Sequence, residues 1–390
     1  MSPGDLHVAQ QVDSLLTQRN LAWLFGAGTS VNSNIPLMNA LTEQVIARTR
    51  TEAEAEFDVL NTIKSDLPDT AHIEHMLSQI ADLRAIAERS KNRVVVFGPA
   101  AVSAAQLDTL HQRLLQIIAD TVRWGYTPAT SQNPERIGTR DNPLVTVDHH
   151  RVFMKSLFSG TQKGLEDRRS AVRFFTTNYD TLLEDSLSLE GIPHWDGFDG
   201  GAVAFRSFKF GDPDPPESVR AWVVKLHGSI DWKFSEDGRI LRVRDTDSYP
   251  TGQQPAIIYP QAGKYVATQR DPFAAQFELL RRTLTTREEN VLGICGYSFG
   301  DEHINQEIEQ AMEQGASKTT ILAFAQSTCP TLEKWQSSSW SKRLYLILPS
   351  GIYVGGEGPH SPPRAGHNHE WWTFAGVSRL LESGAEHCAQ

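Results

Sequence analysis

The sequence predicts an α/β fold organised as a doubly wound parallel sheet. The short apolar runs "AVRFFTT", "AWVVKLHG", "NVLGICG", "TTILAFA" and "RLYLIL" recur between helix-like segments along the second half of the chain. Strands buried on both faces read as continuous apolar runs of this kind. Their alternation with helices favours a parallel sheet covered on both sides. A further run, "LAWLF", stands near the N-terminus and ends at Gly26, so it reads as one more buried strand.

Each remaining element follows from its period. Leu6, Val12, Leu15 and Leu16 form a weak helical pattern over residues 6–19, and "IPLMNALTEQVIARTR" reads as the helix after the first strand. From about 51 to 160 the pattern turns helical. Ile73, Met76, Leu77, Ile80, Leu83 and Ile86 mark one apolar face, and Leu107, Leu110, Leu114, Ile117, Ile118 and Val122 mark another. Burial alone explains both stripes. "GYTPATSQNPERIGTRDNP" reads as a loop, and "DWKFSEDGRILRVRD" as a hairpin turning at Asp237-Gly238. The tail "GGEGPHSPPRAGHNHEWW" leads as a loop into a last helix near "WTFAGVSRLLE". The expected organisation is therefore a sheet domain that begins in 1–50 and resumes in 161–350, a helical insertion at 51–160, and a C-terminal loop and helix at 351–390.

Composition bounds the function. The chain has 390 residues, 39% of them hydrophobic and 22% charged, which is a globular balance with material for a large core. No apolar stretch approaches the roughly 20 residues that cross a bilayer, and no signal-peptide layout opens the chain, so a cytoplasmic protein without a membrane partner is expected. The net charge of -10 argues against broad phosphate-backbone binding, so no direct nucleic-acid partner is expected. Cys295, Cys329 and Cys388 are too few and too scattered for a disulfide framework or a four-cysteine zinc site, and the first two read as buried small residues. His360, His367 and His369 would need ligands converging from elsewhere to hold a metal, and none is predicted. Trp371 and Trp372 read as anchors of the terminal segment or as an oligomer contact.

Polar chemistry gathers at four strand ends. "FGAGTSVNS" places Gly26 and Gly28 where a backbone approaches a phosphate closely, with a helix N-terminus expected behind them. Val31 stands where the dinucleotide fingerprint has its third glycine, so the loop alone reads equally as a phosphate site or a plain turn. Thr29 and Ser30 can donate to a phosphate or cap the helix. "FFTTNYDTLLE" runs from a strand into Asn178, Tyr179 and Asp180, either ligand groups or helix caps. "VVKLHGSIDW" delivers His227, a general base if it faces a cleft and a structural residue if it does not. "VLGICGYSFGDEHINQEI" repeats the glycine-turn logic with Gly296 and Ser298 before a helix opened near Asp301.

Together, "GAGTS", "TTNYD", "LHG" and "GYSFGD" resemble, in order, the sirtuin-like family, specifically its bacterial anti-phage branch that degrades NAD. The resemblance spans roughly residues 20 to 325 and implies a Rossmann-like NAD-binding fold. It implies that Gly26, Ala27, Gly28, Thr29 and Ser30 line the phosphate and ribose site, with Gly296 and Ser298 closing it. It implies that Asn178 holds the nicotinamide ribose or the attacking water, that Asp180 faces the carboxamide end, and that His227 is the general base. NAD would be a substrate rather than a recycled cofactor.

Departures from the family's deacylases choose the reaction. "IPLMNAL" replaces their Pro-Asp-Phe-Arg run, Thr177 replaces a glutamine, and their four zinc-binding cysteines are absent. An enzyme that keeps the NAD site without an acyl-lysine acceptor can use water. The expectation is an NAD glycohydrolase that depletes NAD in antiviral defence, as a homo-oligomer beside a HerA-type hexameric ATPase. The competing readings are an NAD-dependent deacylase or ADP-ribosyltransferase, and a noncatalytic NAD or ADP-ribose sensor.

Overall fold

A computed structural model describes residues 2–98, 100–161, 170–216, 218–235, 239–244, 254–257, 271–364 and 366–388. Its centre is a sheet whose strands, in chain order, are β1 (Leu21–Phe25), β2 (Val172–Thr176), β3 (His194–Trp195), β4 (Ala221–Lys225), β5 (Asn290–Cys295), β6 (Thr319–Phe324), β7 (Leu344–Leu348), β8 (Gly351–Val354) and β9 (Glu357–His360). The spatial order is β9-β8-β7-β6-β5-β1-β2-β4-β3. Pairing is parallel from β7 through to β3, and β8 pairs antiparallel with both β7 and β9. Chain order therefore runs outward from β1 through β5 to β9 on one side, and through β2 and β4 on the other, where β3 lies at the edge beyond β4. The topological switch point lies between β1 and β5, where open α/β sheets bind ligands.

Strand side chains alternate between two cores. Trp23, Phe25, Phe174 and Val223 face one side, where they pack with Val12, Leu16, Phe153 and Phe374. Leu24, Phe175, Trp222 and Val224 face the other, with Phe277, Leu280, Ile304 and Trp335. The first side is covered by helices Pro3–Leu16, Asp148–Lys155 and Phe374–Ser383; the second by Phe273–Leu284, Glu302–Glu313 and Pro330–Gln336. The doubly wound α/β architecture is thus as expected.

The helical region has its own core. Helices Met38–Glu52, Glu54–Asp66, Ile73–Arg89 and Ala104–Trp124 bury Leu41, Val45, Leu60, Met76, Ile80, Leu110 and Ile117 together. The apolar stripes are buried as expected except at Ile86, which is exposed. The expected limits of the insertion shift at both ends. Helix Met38–Glu52 joins this core, whereas Asp148–Lys155 sends Phe153 and Met154 against the sheet. An antiparallel pair, Val94–Phe97 with Ala100–Ser103, also interrupts the helices.

The expected hairpin belongs to a five-stranded antiparallel sheet. Gly228–Phe234 pairs with Ile240–Val243, with Trp232 opposite Arg242, and Val203–Arg206 with Phe198–Gly200 extends it. The predicted turn at Asp237-Gly238 lies outside the described residues. Trp371 is buried and donates from Nε1 to the Leu348 carbonyl at 2.7 Å, anchoring the terminal segment to β7. No helix among the described residues is long and apolar enough to cross a membrane.

Candidate active site at the switch point

Sheet register brings the four motifs level. Phe25 pairs with Cys295 on one side and Thr176 on the other, and Thr176 pairs with Lys225. Cys295, Phe25, Thr176 and Lys225 thus form one row across β5-β1-β2-β4. Gly26, Thr177, Leu226 and Gly296 stand one residue beyond it, and Asn178 and His227 are each two residues beyond it on adjacent parallel strands. Strand ends in register deliver their first polar residues to one edge.

Glycine is required where the first and fourth motifs meet. A Cβ on Gly26 or Gly28 would lie within 2.7 Å of the Gly296-Tyr297 backbone, and one on Gly296 would lie 2.4 Å from the Thr29 nitrogen. Gly296 also has φ +65°, a left-handed conformation that side chains disfavour. These glycines therefore let two loops touch each other. Gly296→Ala is expected to destabilise the fold by about 2–4 kcal/mol, combining left-handed strain with overpacking against backbone. Urea unfolding checks this, and an unchanged midpoint would show that the loops separate freely.

The first loop departs from the phosphate-cradle expectation. It folds as two 3-10 turns, Ala27–Thr29 and Val31–Ser33, and the following helix begins only at Met38. The amides of Gly26, Gly28, Thr29 and Ser30 donate to Cys295, Gly296, Gly26 and Ala27 carbonyls respectively. Their backbone hydrogens are spent inside the protein, so in this conformation they are not a row of open phosphate donors. Ala27 and Ser298 are exposed, and Gly28 is half-buried. The open edge of the loop pair is therefore Ala27, Gly28 and Ser298.

Asn178 clamps that loop from β2. Its Nδ2 lies within hydrogen-bonding reach of the Gly26 carbonyl at 3.1 Å, Thr29 Oγ1 at 3.2 Å and Ser30 Oγ at 3.1 Å. Its Oδ1 is buried and has no hydrogen-bond partner among the described residues. An acceptor held in place by its own amide nitrogen and left unsatisfied suits a ligand hydroxyl or a water.

Asp180 is buried and serves as a brace. Oδ2 accepts from Ser30 Oγ at 2.8 Å, and Oδ1 accepts from the Leu182 amide at 3.1 Å, at the start of helix Leu182–Leu189. The buried Lys225 ammonium donates to the Asp180 carbonyl and sits 3.6 Å from Glu184 Oε1. Between the two, Tyr179 reaches into the helical region, donating to Glu74 at 3.1 Å.

His227 is held by a residue that sequence reasoning placed only as a helix opener. Its Nε2 lies 3.0 Å from Asp301 Oδ2, with side-chain exposures of 7% and 10%. The other oxygen, Asp301 Oδ1, caps helix Glu302–Glu313 by accepting from His303 and Ile304 amides at 3.1 and 3.4 Å. Cys295 offers no competing nucleophile, because full burial pushes its thiol up to about 12; Cys329 is half-buried rather than buried. Among the described residues no cluster of three or more His, Cys, Asp or Glu side chains is arranged to hold a metal. His369 Nε2 instead donates to the Ser361 carbonyl at 2.9 Å, and its ring stacks on Trp371.

Residues 172–344 match the family model described as the SIR2-like domain. Over that stretch the chain is similar to a SIR2-like domain. The match covers the strand-end motifs of β2, β4 and β5, while "GAGTS" precedes the matched residues and is joined to them by the register of β1. No curated protein matches the chain. A solved structure described as a Sir2 homolog-NAD complex is similar over 96% of this chain and 95% of that chain, at 10% identity and TM-score 0.39.

Proposed function

We propose that this chain is an NAD glycohydrolase, cleaving NAD to nicotinamide and ADP-ribose with water as the acceptor. The observation that carries the reading is Asn178: its Nδ2 is fixed on the glycine loop while its Oδ1 is left without a partner, beside the strand that delivers His227. NAD as substrate rests on the SIR2-like domain and on the resemblance of the four motifs to the NAD-degrading branch.

The chemistry asks little of the protein beyond placement. Breaking the ribose–nicotinamide bond builds positive charge on the sugar, and the leaving nicotinamide becomes neutral. Asn178 Oδ1 would accept from the ribose hydroxyl or the attacking water, orienting its oxygen toward the anomeric carbon. His227 would take the water's proton as that bond forms. Ala27, Gly28 and Ser298, on the open edge of the loop pair, would contact the phosphates and ribose, with Gly26, Thr29, Ser30 and Gly296 shaping the wall behind them. Asp180, with both oxygens engaged, would fix the wall nearest the carboxamide.

We read the cellular role as NAD depletion in anti-phage defence, by a cytoplasmic homo-oligomer working beside a HerA-type hexameric ATPase. This setting rests on the resemblance to that branch. The test is to incubate the purified chain with NAD, with and without such an ATPase, and to follow nicotinamide by chromatography. Release in the absence of any peptide is the expected result. No release under either condition would overturn the hydrolase, and release that needs an acetylated peptide would favour a deacylase.

A further inference from the structure

We propose that Asp301 is a positioning residue for His227, holding the imidazole hydrogen on Nε2 so that Nδ1 is the atom that accepts the proton of the attacking water. This deepens the hydrolysis reading and rests on it. The starting point is electrostatic. A carboxylate oxygen 3.0 Å from Nε2 repels a lone pair and attracts a hydrogen, so the neutral ring carries its hydrogen there.

The carboxylate is itself well held. Oδ1 is fixed by the first amides of a 12-residue helix, and the backbone carbonyl of Asp301 accepts from the Tyr297 hydroxyl at 3.1 Å. The helix N-terminus favours the ionised form. One oxygen is thus committed to the helix and the other to His227, which ties the β4 motif to the β5 motif across the switch point. In the reaction the water oxygen bonds to the anomeric carbon and its proton passes to Nδ1. The carbon–nitrogen bond breaks with its electron pair going to the nicotinamide ring. The imidazolium formed on His227 is then stabilised by Asp301 at Nε2.

Asparagine separates this role from the structural one. Asn caps helices about as well as Asp, so Asp301→Asn keeps the helix start while removing the negative charge. Its amide group facing Nε2 would donate, and the ring hydrogen would move to Nδ1, the wrong atom for a base. The experiment uses the full chain labelled with 15N at histidine, with His227→Gln to assign the resonance, alongside steady-state nicotinamide release. The expected result is an Nε2–H tautomer in the wild type that is lost in Asp301→Asn. In that variant kcat should fall by about 10²-fold or more, with KM for NAD changed less than about threefold. A wild-type hydrogen on Nδ1, or an Asp301→Asn variant with undiminished kcat, would overturn the assignment. Absence of nicotinamide release from the wild type would instead overturn the hydrolysis reading, while the tautomer would still decide the Asp301–His227 geometry.

Discussion

Asn178→Ala is expected to lower kcat for nicotinamide release by about 10³-fold, and His227→Ala by about 10²- to 10⁴-fold, the ranges for lost orientation and lost general-base help. The two residues serve one water, so the double variant should fall little below the worse single one. Asn178→Ala also removes the Nδ2 contacts to Gly26, Thr29 and Ser30, with a stability cost of about 1–3 kcal/mol. Thermal unfolding run beside the assay separates this from catalysis. A folded variant without activity supports the site, because the loss of Nδ2 contacts to the loop alone would show as lost stability. Undiminished release in either single variant would show that the reacting bond lies elsewhere.

How far the site was legible depends on what each residue does along the chain and across it. β1, β2 and β4 to β7 were readable because strands buried on both faces carry mostly apolar side chains, which leaves near-continuous runs such as "LAWLF" and "AWVV". Asn178 and His227 were readable because polar residues directly after such runs stand out. Asp301 was readable only halfway: a helix opener predicts the Oδ1 cap, but nothing local says that Oδ2 meets a histidine from another strand. The packing of the first loop was hidden for a similar reason. Gly26 and Gly28 look like room for a phosphate, and the structure shows that Gly296 uses that room. The Val94–Phe97 strand was hidden because "VVVF" joins a partner of similar apolar character between two strong helices. Helix Asp148–Lys155, inside the expected insertion at 51–160, turns its apolar side toward Phe25 and Phe174, contacts set by tertiary packing rather than by its period.

Acid should weaken the same framework, and His150 identifies where. Burial pushes its imidazole down to about 4 from 6.5, against the opposing attraction of Asp180, with His149 adding a small push in the same direction as burial. A folded-state value below the unfolded one means that the unfolded chain binds the proton more readily between those limits. Stability is therefore full above about 6.5, falls as pH drops through that window, and stops falling on this account below about 4. Linkage gives a loss on the order of 2 kcal/mol at His150 between about pH 7 and pH 5. Burial pushes His72 and His111 down to about 4 as well, so the whole chain should lose more than this. His150→Phe isolates the one site, since a phenyl ring can keep the packing against Phe374 without a titrating nitrogen. Unfolding free energies from urea titrations at the two pH values should then differ by about 2 kcal/mol less in the variant than in the wild type. Equal pH dependence would show that water reaches His150 in the folded state. Its place gives the effect a functional edge: Asp180, whose charge His150 senses, is the brace that joins Ser30 to the β2 motif.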